Sequence, residues 1–190
     1  MFNTPCIIFA GGKSSRMGED KSLLPFAGYN SLTHYQYQRL KKLFKNVYIS
    51  CKSKEKFDFE ADFIEDISTE NIFAPTVGFV SAFRALSEDS FFVLSVDTPF
   101  VTQKEISRLL NADTQELDAT IAKSEFGSHP LCGIYHRSLQ KEFEKMIKEE
   151  NHKLGFLLKS SKTNYILFSE EKPFTNLNYF DEYQKALESL

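Results

Sequence analysis

CIIFAGGKSSRMGEDK, Cys6 to Lys21, decides how the rest of the chain is read. Four apolar residues, Cys6 to Phe9, stop at Ala10, Gly11 and Gly12 and give way to a polar stretch carrying Lys13, Arg16 and Lys21. A short apolar run ending at glycines predicts a buried strand that feeds a loop. Glycines let backbone N–H groups approach an anion, and the three cations bring positive charge beside them, so the loop suits a polyphosphate. Because Gly11 and Gly12 are adjacent and Gly18 is followed by Glu19, the string matches neither GxGxxG nor GxxxxGK[ST]. Taken alone, two glycines after a strand make only a tight turn, and scattered lysines and arginines are ordinary surface.

Working outward, strand and helix signals alternate. Leu32, Tyr35, Leu40, Leu43 and Phe44 keep rough helical spacing over 31–44, and NVYIS at 46–50 reads as a strand. A short strand ends in FIED (Phe63 to Asp66), a helix is expected over Val77 to Leu86, and FFVLSV (Phe91 to Val96) is continuous enough for burial on both faces. Thr102 and Glu105 have capping-box spacing, which starts a helix running to about Leu110. Beyond it, strands are expected at 119–123, 131–135 and 165–168, with helices over 139–149 and from Asp181. The alternation predicts a three-layer α/β/α sandwich around a mostly parallel, Rossmann-like sheet. With no linker, repeat or low-complexity segment, the 190 residues are expected to form a single domain, 1–190.

Composition narrows the function classes. Hydrophobic residues at 42% and charged residues at 26% are globular proportions. A formal net charge of -3 lacks the basic excess that a polymeric nucleic acid demands. Cys6, Cys51 and Cys132 are odd in number and far apart, so small buried thiols are expected rather than disulfides or zinc ligands. No apolar run reaches the ~20 residues of a membrane span, and the first apolar run has no basic region ahead of it, so no membrane partner and a cytoplasmic location are expected.

In an open α/β sheet ligands bind outside the carboxyl ends of the strands, which singles out three places. The first is the loop from Ala10 to Lys21. In VDTPF (Val96 to Phe100), Asp97 follows a buried strand and offers hard oxygens to a cation, although Asp before Thr-Pro is also a common turn former. The third place is Asp66 in IED, which alone reads as a solvated acidic turn. His129 before Pro130 reads as a turn residue, and Asn176 and Asn178 as turn caps.

Together these segments resemble one family. AGGKSSRMGEDK is similar to the signature AGGxSxRMGxDK of the molybdenum cofactor guanylyltransferases, within the nucleotidyltransferase superfamily and its nucleotide-diphospho-sugar transferase fold. FFVLSVDTPF resembles the segment whose aspartate holds magnesium, and an aspartate at the Asp66 position helps hold the nucleotide. HPLCGIY (His129 to Tyr135) looks like the family's HP-containing strand, and NLNYFDE (Asn176 to Glu182) resembles its NxNTPEE segment. The resemblance moves His129, Asn176 and Asn178 toward contacts with a molybdopterin substrate. Departures stand beside the matches: Tyr179 and Phe180 replace Thr-Pro, and PTVGF (Pro75 to Phe79) replaces a GPLAG-like helix start. Ser50 and Cys51 stand where asparagine is frequent, so no base or ribose contact is carried over to them.

The resemblance implies transfer of GMP from GTP to molybdopterin carrying molybdenum, with Mg²⁺ as cofactor and molybdoenzyme-maturation proteins as candidate partners. Ala10, Gly11, Gly12, Lys13 and Ser14 would cradle phosphate, with Arg16 against the leaving pyrophosphate. Lys21 would stabilise the α-phosphate, Asp66 hold the nucleotide and Asp97 hold the metal. Two alternatives stay open: a nucleotidyltransferase for another base or acceptor, such as molybdopterin cytidylyltransferase or a sugar-phosphate enzyme, and a nucleotide-binding protein without catalysis. AGG, where the cytidylyl relatives often carry AAG, tilts toward guanine.

Overall fold

The computed structural model describes residues 1–12, 18–67 and 74–188. In chain order these contain β1 (Cys6–Phe9), α1 (Leu32–Lys41), β2 (Val47–Cys51), β3 (Asp62–Glu65), α2 (Pro75–Ala85), β4 (Ser90–Ser95) and α3 (Gln103–Ala112). They continue through β5 (Ala119–Ser124), β6 (Gly127–His136), α4 (Gln140–Lys148), α5 (Leu154–Ser160), β7 (Thr163–Leu167) and α6 (Phe180–Glu188). The strands form one sheet in the order β3-β2-β1-β4-β6-β5-β7. Pairings are parallel except along β6, which runs antiparallel to both β4 and β5.

Side chains alternate along each strand, so the central strands feed two separate cores. Cys6, Ile8, Phe92 and Leu94 pack with Leu40 of α1, Ile106 and Leu109 of α3 and Tyr183 of α6. Ile7, Phe9, Phe91 and Val93 face the opposite way, onto Phe79 and Phe83 of α2, Phe143 of α4 and Leu157 and Leu158 of α5. Helices therefore cover both faces, giving the expected α/β/α sandwich. The three cysteines are free and buried in it, and burial raises the pKa of each thiol. No helix among the described residues is long and apolar enough to cross a membrane.

Helix starts follow local chemistry. The Ser31 hydroxyl accepts the N–H of His34 at 3.1 Å. Thr102 and Glu105 form the reciprocal capping box. α2 begins with Pro75 in its first turn and no side-chain cap, since proline's fixed φ and missing N–H suit that position.

Two expectations are corrected. His129 and Pro130 lie inside β6, as the resemblance to an HP-containing strand implies and not in the turn that the residues alone suggest; the β5–β6 register shifts between Ile121 and Ala122, and such an irregularity tolerates a proline with no N–H to offer the ladder. α5, LGFLLKS, was not foreseen, because seven residues containing a glycine and lacking a capping side chain carry too short a period to read.

Candidate active site

The chain runs outward from β1 through β2 to β3, then returns to the other side of β1 as β4, so the crevice of the sheet opens where β1 and β4 end together. Main-chain bonds fix those ends: Val96 N–H donates to the Phe9 carbonyl at 3.1 Å, and Ala10 N–H to Ser50 at 2.9 Å. Gly78 lets α2 press onto this corner. A Cβ there would sit 2.7 Å from Phe9 Cε1 and 2.8 Å from Ser50 Oγ, distances that real Cβ atoms do not adopt.

Beyond the strand ends lies a cavity of about 170 Å³, lined by Gly11, Gly12, Lys21, Ser50, Asp66, Pro75, Gly78 and Asp97 among others. It brings together residues from all three places that the sequence singled out. Lys21 reaches across it: its Nζ donates to Asp97 Oδ2 and, at 3.2 Å, to Asn178 Oδ1. Asp97 Oδ1 accepts the Ser95 hydroxyl at 2.5 Å, and the Leu177 N–H donates to the Asp97 carbonyl at 2.9 Å. The segment Leu177–Asn178 is thus pinned against the end of β4. Glu182, just inside α6, accepts the N–H groups of Asn178 and Tyr179 at 2.7 and 2.9 Å, so the helix start survives the Tyr179–Phe180 departure.

Asp66 closes the far side. Its N–H continues the β2–β3 ladder to Cys51 at 2.8 Å, and its Oδ1 is buried with no hydrogen-bond partner. Burial pushes its pKa up to about 6, although Lys52, the Ser50 hydroxyl and Lys56 pull the other way. An unsatisfied, desolvated acceptor is costly to the fold, and the residue that carries it lines the cavity, which makes Asp66 a candidate ligand contact.

A second cavity, of about 220 Å³, shares Ser95, Asp97 and Leu131 with the first and continues over Thr98, Ser128, His129, Phe174 and Asn176. The His129 ring stacks on Phe174 with centroids 4.6 Å apart. Its Nε2 lies 2.9 Å from Ser124 Oγ and 3.9 Å from Glu171 Oε1. Burial lowers the His129 pKa, opposed by Glu171.

Of the residues expected in the site, Ala10, Gly11, Gly12, Lys21, Asp66 and Asp97 converge on the first cavity or its edge. Lys13, Ser14 and Arg16 lie outside the described residues. Sequence reasoning missed Phe174 and Glu171, which follow no strand, and Lys56, which sits in the charged string KSKEK and reads as solvated surface. Among the described residues, no cluster of three His, Cys, Asp or Glu side chains is arranged to hold a metal ion.

Residues 6–164 match the family model described as MobA-like NTP transferase domain. The chain is 39% identical over 180 residues to a molybdenum cofactor guanylyltransferase of Campylobacter jejuni subsp. doylei, covering 95% of this chain and 93% of that protein. A Helicobacter pylori protein of the same name is 34% identical over 193 residues, 99% of this chain and 94% of its own. The fold is shared with molybdopterin-guanine dinucleotide biosynthesis protein A from Archaeoglobus fulgidus, with a TM-score of 0.83 at 22% identity and 98% coverage of both chains. A loop lysine bonded to a strand-end aspartate in the crevice of the sheet, and relatives above 30% identity over nearly the whole chain, lead to one assignment: this chain belongs to the molybdenum cofactor guanylyltransferase family, within the nucleotidyltransferases.

Proposed function

We propose that the chain transfers GMP from GTP to the terminal phosphate of molybdopterin, releasing pyrophosphate, and that Lys21, Arg16 and Asp97 act at the reacting phosphates. The observation that carries this reading is the Lys21–Asp97 pair, whose aspartate lines both cavities and whose lysine lines the first. Transfer between two substrates requires them to meet at one phosphorus, and a shared carboxylate with a cation bonded to it from the first cavity suits that point.

The nucleotide belongs in the cavity of Gly11, Gly12 and Asp66. Its triphosphate is cradled by the amides of Gly11 to Ser15, Lys13 and Ser14 among them, with Ala10, whose N–H is held by Ser50, as the anchor, and its nucleoside lies against Asp66. The acceptor belongs against His129, Phe174 and Asn176. One oxygen of the acceptor phosphate attacks the α-phosphorus as the bond to the β-phosphate oxygen breaks, and pyrophosphate carries the electron pair away. A phosphate monoester is largely ionised at neutral pH, so the step asks no protein general base. Lys21 neutralises charge growing at the α-phosphate, and Arg16 charge on the leaving group.

Mg²⁺ fits this donor set. It keeps several waters and takes one or two carboxylates plus substrate phosphates, and the crevice offers the Asp97 carboxylate in that role. When bound, the ion supplies charge stabilisation to phosphate oxygens. The same reading makes the chain one cytoplasmic domain, residues 1–190, with molybdoenzyme-maturation proteins as partners. Calorimetry with GTP, CTP, ATP and UTP, each with Mg²⁺ and with excess chelator, tests it. Selective, Mg²⁺-dependent GTP binding is expected. A CTP preference would transfer the assignment to a cytidylyl activity, and no nucleotide binding would favour a protein that needs its acceptor first or does not catalyse.

A further inference from the structure

Lys56 occupies a short 3-10 turn after β2, outside the loop that defines the family. Its ammonium makes three bonds: to the Ala10 carbonyl at 3.1 Å, to Asp20 Oδ2 at 2.9 Å and to Ser22 Oγ at 3.0 Å. Ala10 begins the phosphate loop, and Asp20 and Ser22 flank Lys21 at its end. The three bonds use every donor an ammonium has, which leaves none for a ligand.

The partners are themselves fixed. Asp20 Oδ1 accepts both the N–H and the hydroxyl of Ser22, at 3.0 and 2.7 Å. Thr33 of α1, fully buried, donates to the Ser22 carbonyl at 2.7 Å. Residues 20 and 22 are thereby tied to Lys56 and α1, while Lys21 between them points to Asp97 and Asn178. Both ends of the loop hang on one side chain, and so does the base from which Lys21 extends.

We infer that Lys56 is a positioning residue for nucleotidyl transfer: it sets the span between Ala10 and Asp20, fixes the two ends of the loop proposed to take the triphosphate, and aims Lys21. It acts through these groups and does not touch the substrate. The inference rests on the proposed use of the loop as the GTP phosphate site. It predicts a loss that grows with the number of phosphates, because a loop that must be ordered on binding spends part of its interaction with the phosphates on that ordering.

The test is calorimetric binding of GTP and of GMP, with Mg²⁺, to the unmodified chain, Lys56→Met and Lys56→Arg. Lys56→Met is expected to weaken GTP about 10-fold, as for losing hydrogen bonds to a charged group, with GMP changed less than about threefold. Lys56→Arg, which keeps charge and donors, should recover part of the GTP affinity. Equal losses for GTP and GMP would reduce Lys56 to a general structural role and overturn the inference, as would unchanged GTP binding in Lys56→Met. Failure of the unmodified chain to bind GTP would instead remove the functional reading, and this inference with it.

Discussion

The two cavities that meet at Asp97 are built from different chemistry. The one under Gly11 and Gly12 sets three charged side chains, Lys21, Asp97 and the desolvated Asp66, into a wall otherwise of Phe9, Pro75, Val96 and Leu131, with Lys56 behind. The one under β6 is bounded by a histidine held toward its neutral form, the Phe174 ring on which it stacks, Pro130, Leu131 and Asn176. A nucleoside triphosphate is mostly charge and needs cations and N–H groups in fixed places. A flat heterocycle is mostly ring and is held by stacking. The asymmetry teaches which substrate each side suits, and it predicts that substitutions on one side change one substrate's parameters and spare the other's.

The largest effect should come where the sides meet. Lys21→Ala is expected to lower kcat about 100-fold, the size seen when one preorganised contact to developing charge is lost. Steady-state kinetics with both substrates varied will check it; unchanged kcat removes Lys21 from the chemistry. Asp97→Asn keeps the shape and the Ser95 contact but removes the charge opposite Lys21. GTP binding in Mg²⁺ should fall about 10-fold or more, while binding in excess chelator changes little. Equal affinities with and without the ion, in the variant and in the unmodified chain alike, would remove the metal from Asp97.

Asp66 sharpens the contrast, because its cost to the fold and its use to the ligand have opposite signs. Its pKa stands at about 6 against an ordinary 3.8, raised chiefly by burial. Between those values the folded chain binds more protons than the unfolded one, so this group makes stability fall as pH rises from about 4 to about 6, and the penalty persists above. Asp66→Asn removes it. Allowing for the part of the carboxyl that meets solvent, we expect a gain of about 1 kcal/mol, or a Tm higher by a few degrees at pH 7.5, with GTP bound about fivefold more weakly. Unmodified protein should likewise lose GTP affinity as pH drops through 6. Thermal melts and titrations at pH 5.5 and 7.5 report both; a variant that is less stable at pH 7.5 contradicts the burial argument.

Much of this arrangement was legible in the chain because burial on both faces writes a continuous apolar run, as in Cys6–Phe9 and Phe91–Val96, and the residue after such a run lies at the ligand end of the sheet. Ala10, Gly11, Gly12 and Asp97 are placed by that rule, whereas Asp66 follows the largely exposed edge strand DFIE and gains its role only from the family resemblance. Lys56 and the Lys21–Asn178 contact escape the rule, since they depend on chain segments 34 to 157 residues apart whose meeting no local period encodes. β6 hid its first residues because Pro130 reads as a strand breaker and only the bulge opposite Ala122 excuses it.

The acceptor side offers the smallest effect and the cleanest check of the asymmetry. His129 touches Ser124, Glu171 and Phe174, and burial lowers its pKa below the ordinary 6.5. The unfolded chain therefore takes up this proton first, so the residue contributes stability that is present above pH 6.5 and lost as pH falls through the lowered value. Acceptor binding should be flat from pH 7 to 8, where the ring is neutral. His129→Ala should raise the KM for molybdopterin about fivefold, the worth of one aromatic pair, with the Kd for GTP unchanged. His129→Phe keeps the stack but not the bond to Ser124, and is expected to recover most of that loss. Recovery by phenylalanine assigns the contribution to the ring; if phenylalanine fares no better than alanine, it belongs to the hydrogen bond, and a GTP Kd that moves with either variant would mean the two cavities do not divide the substrates.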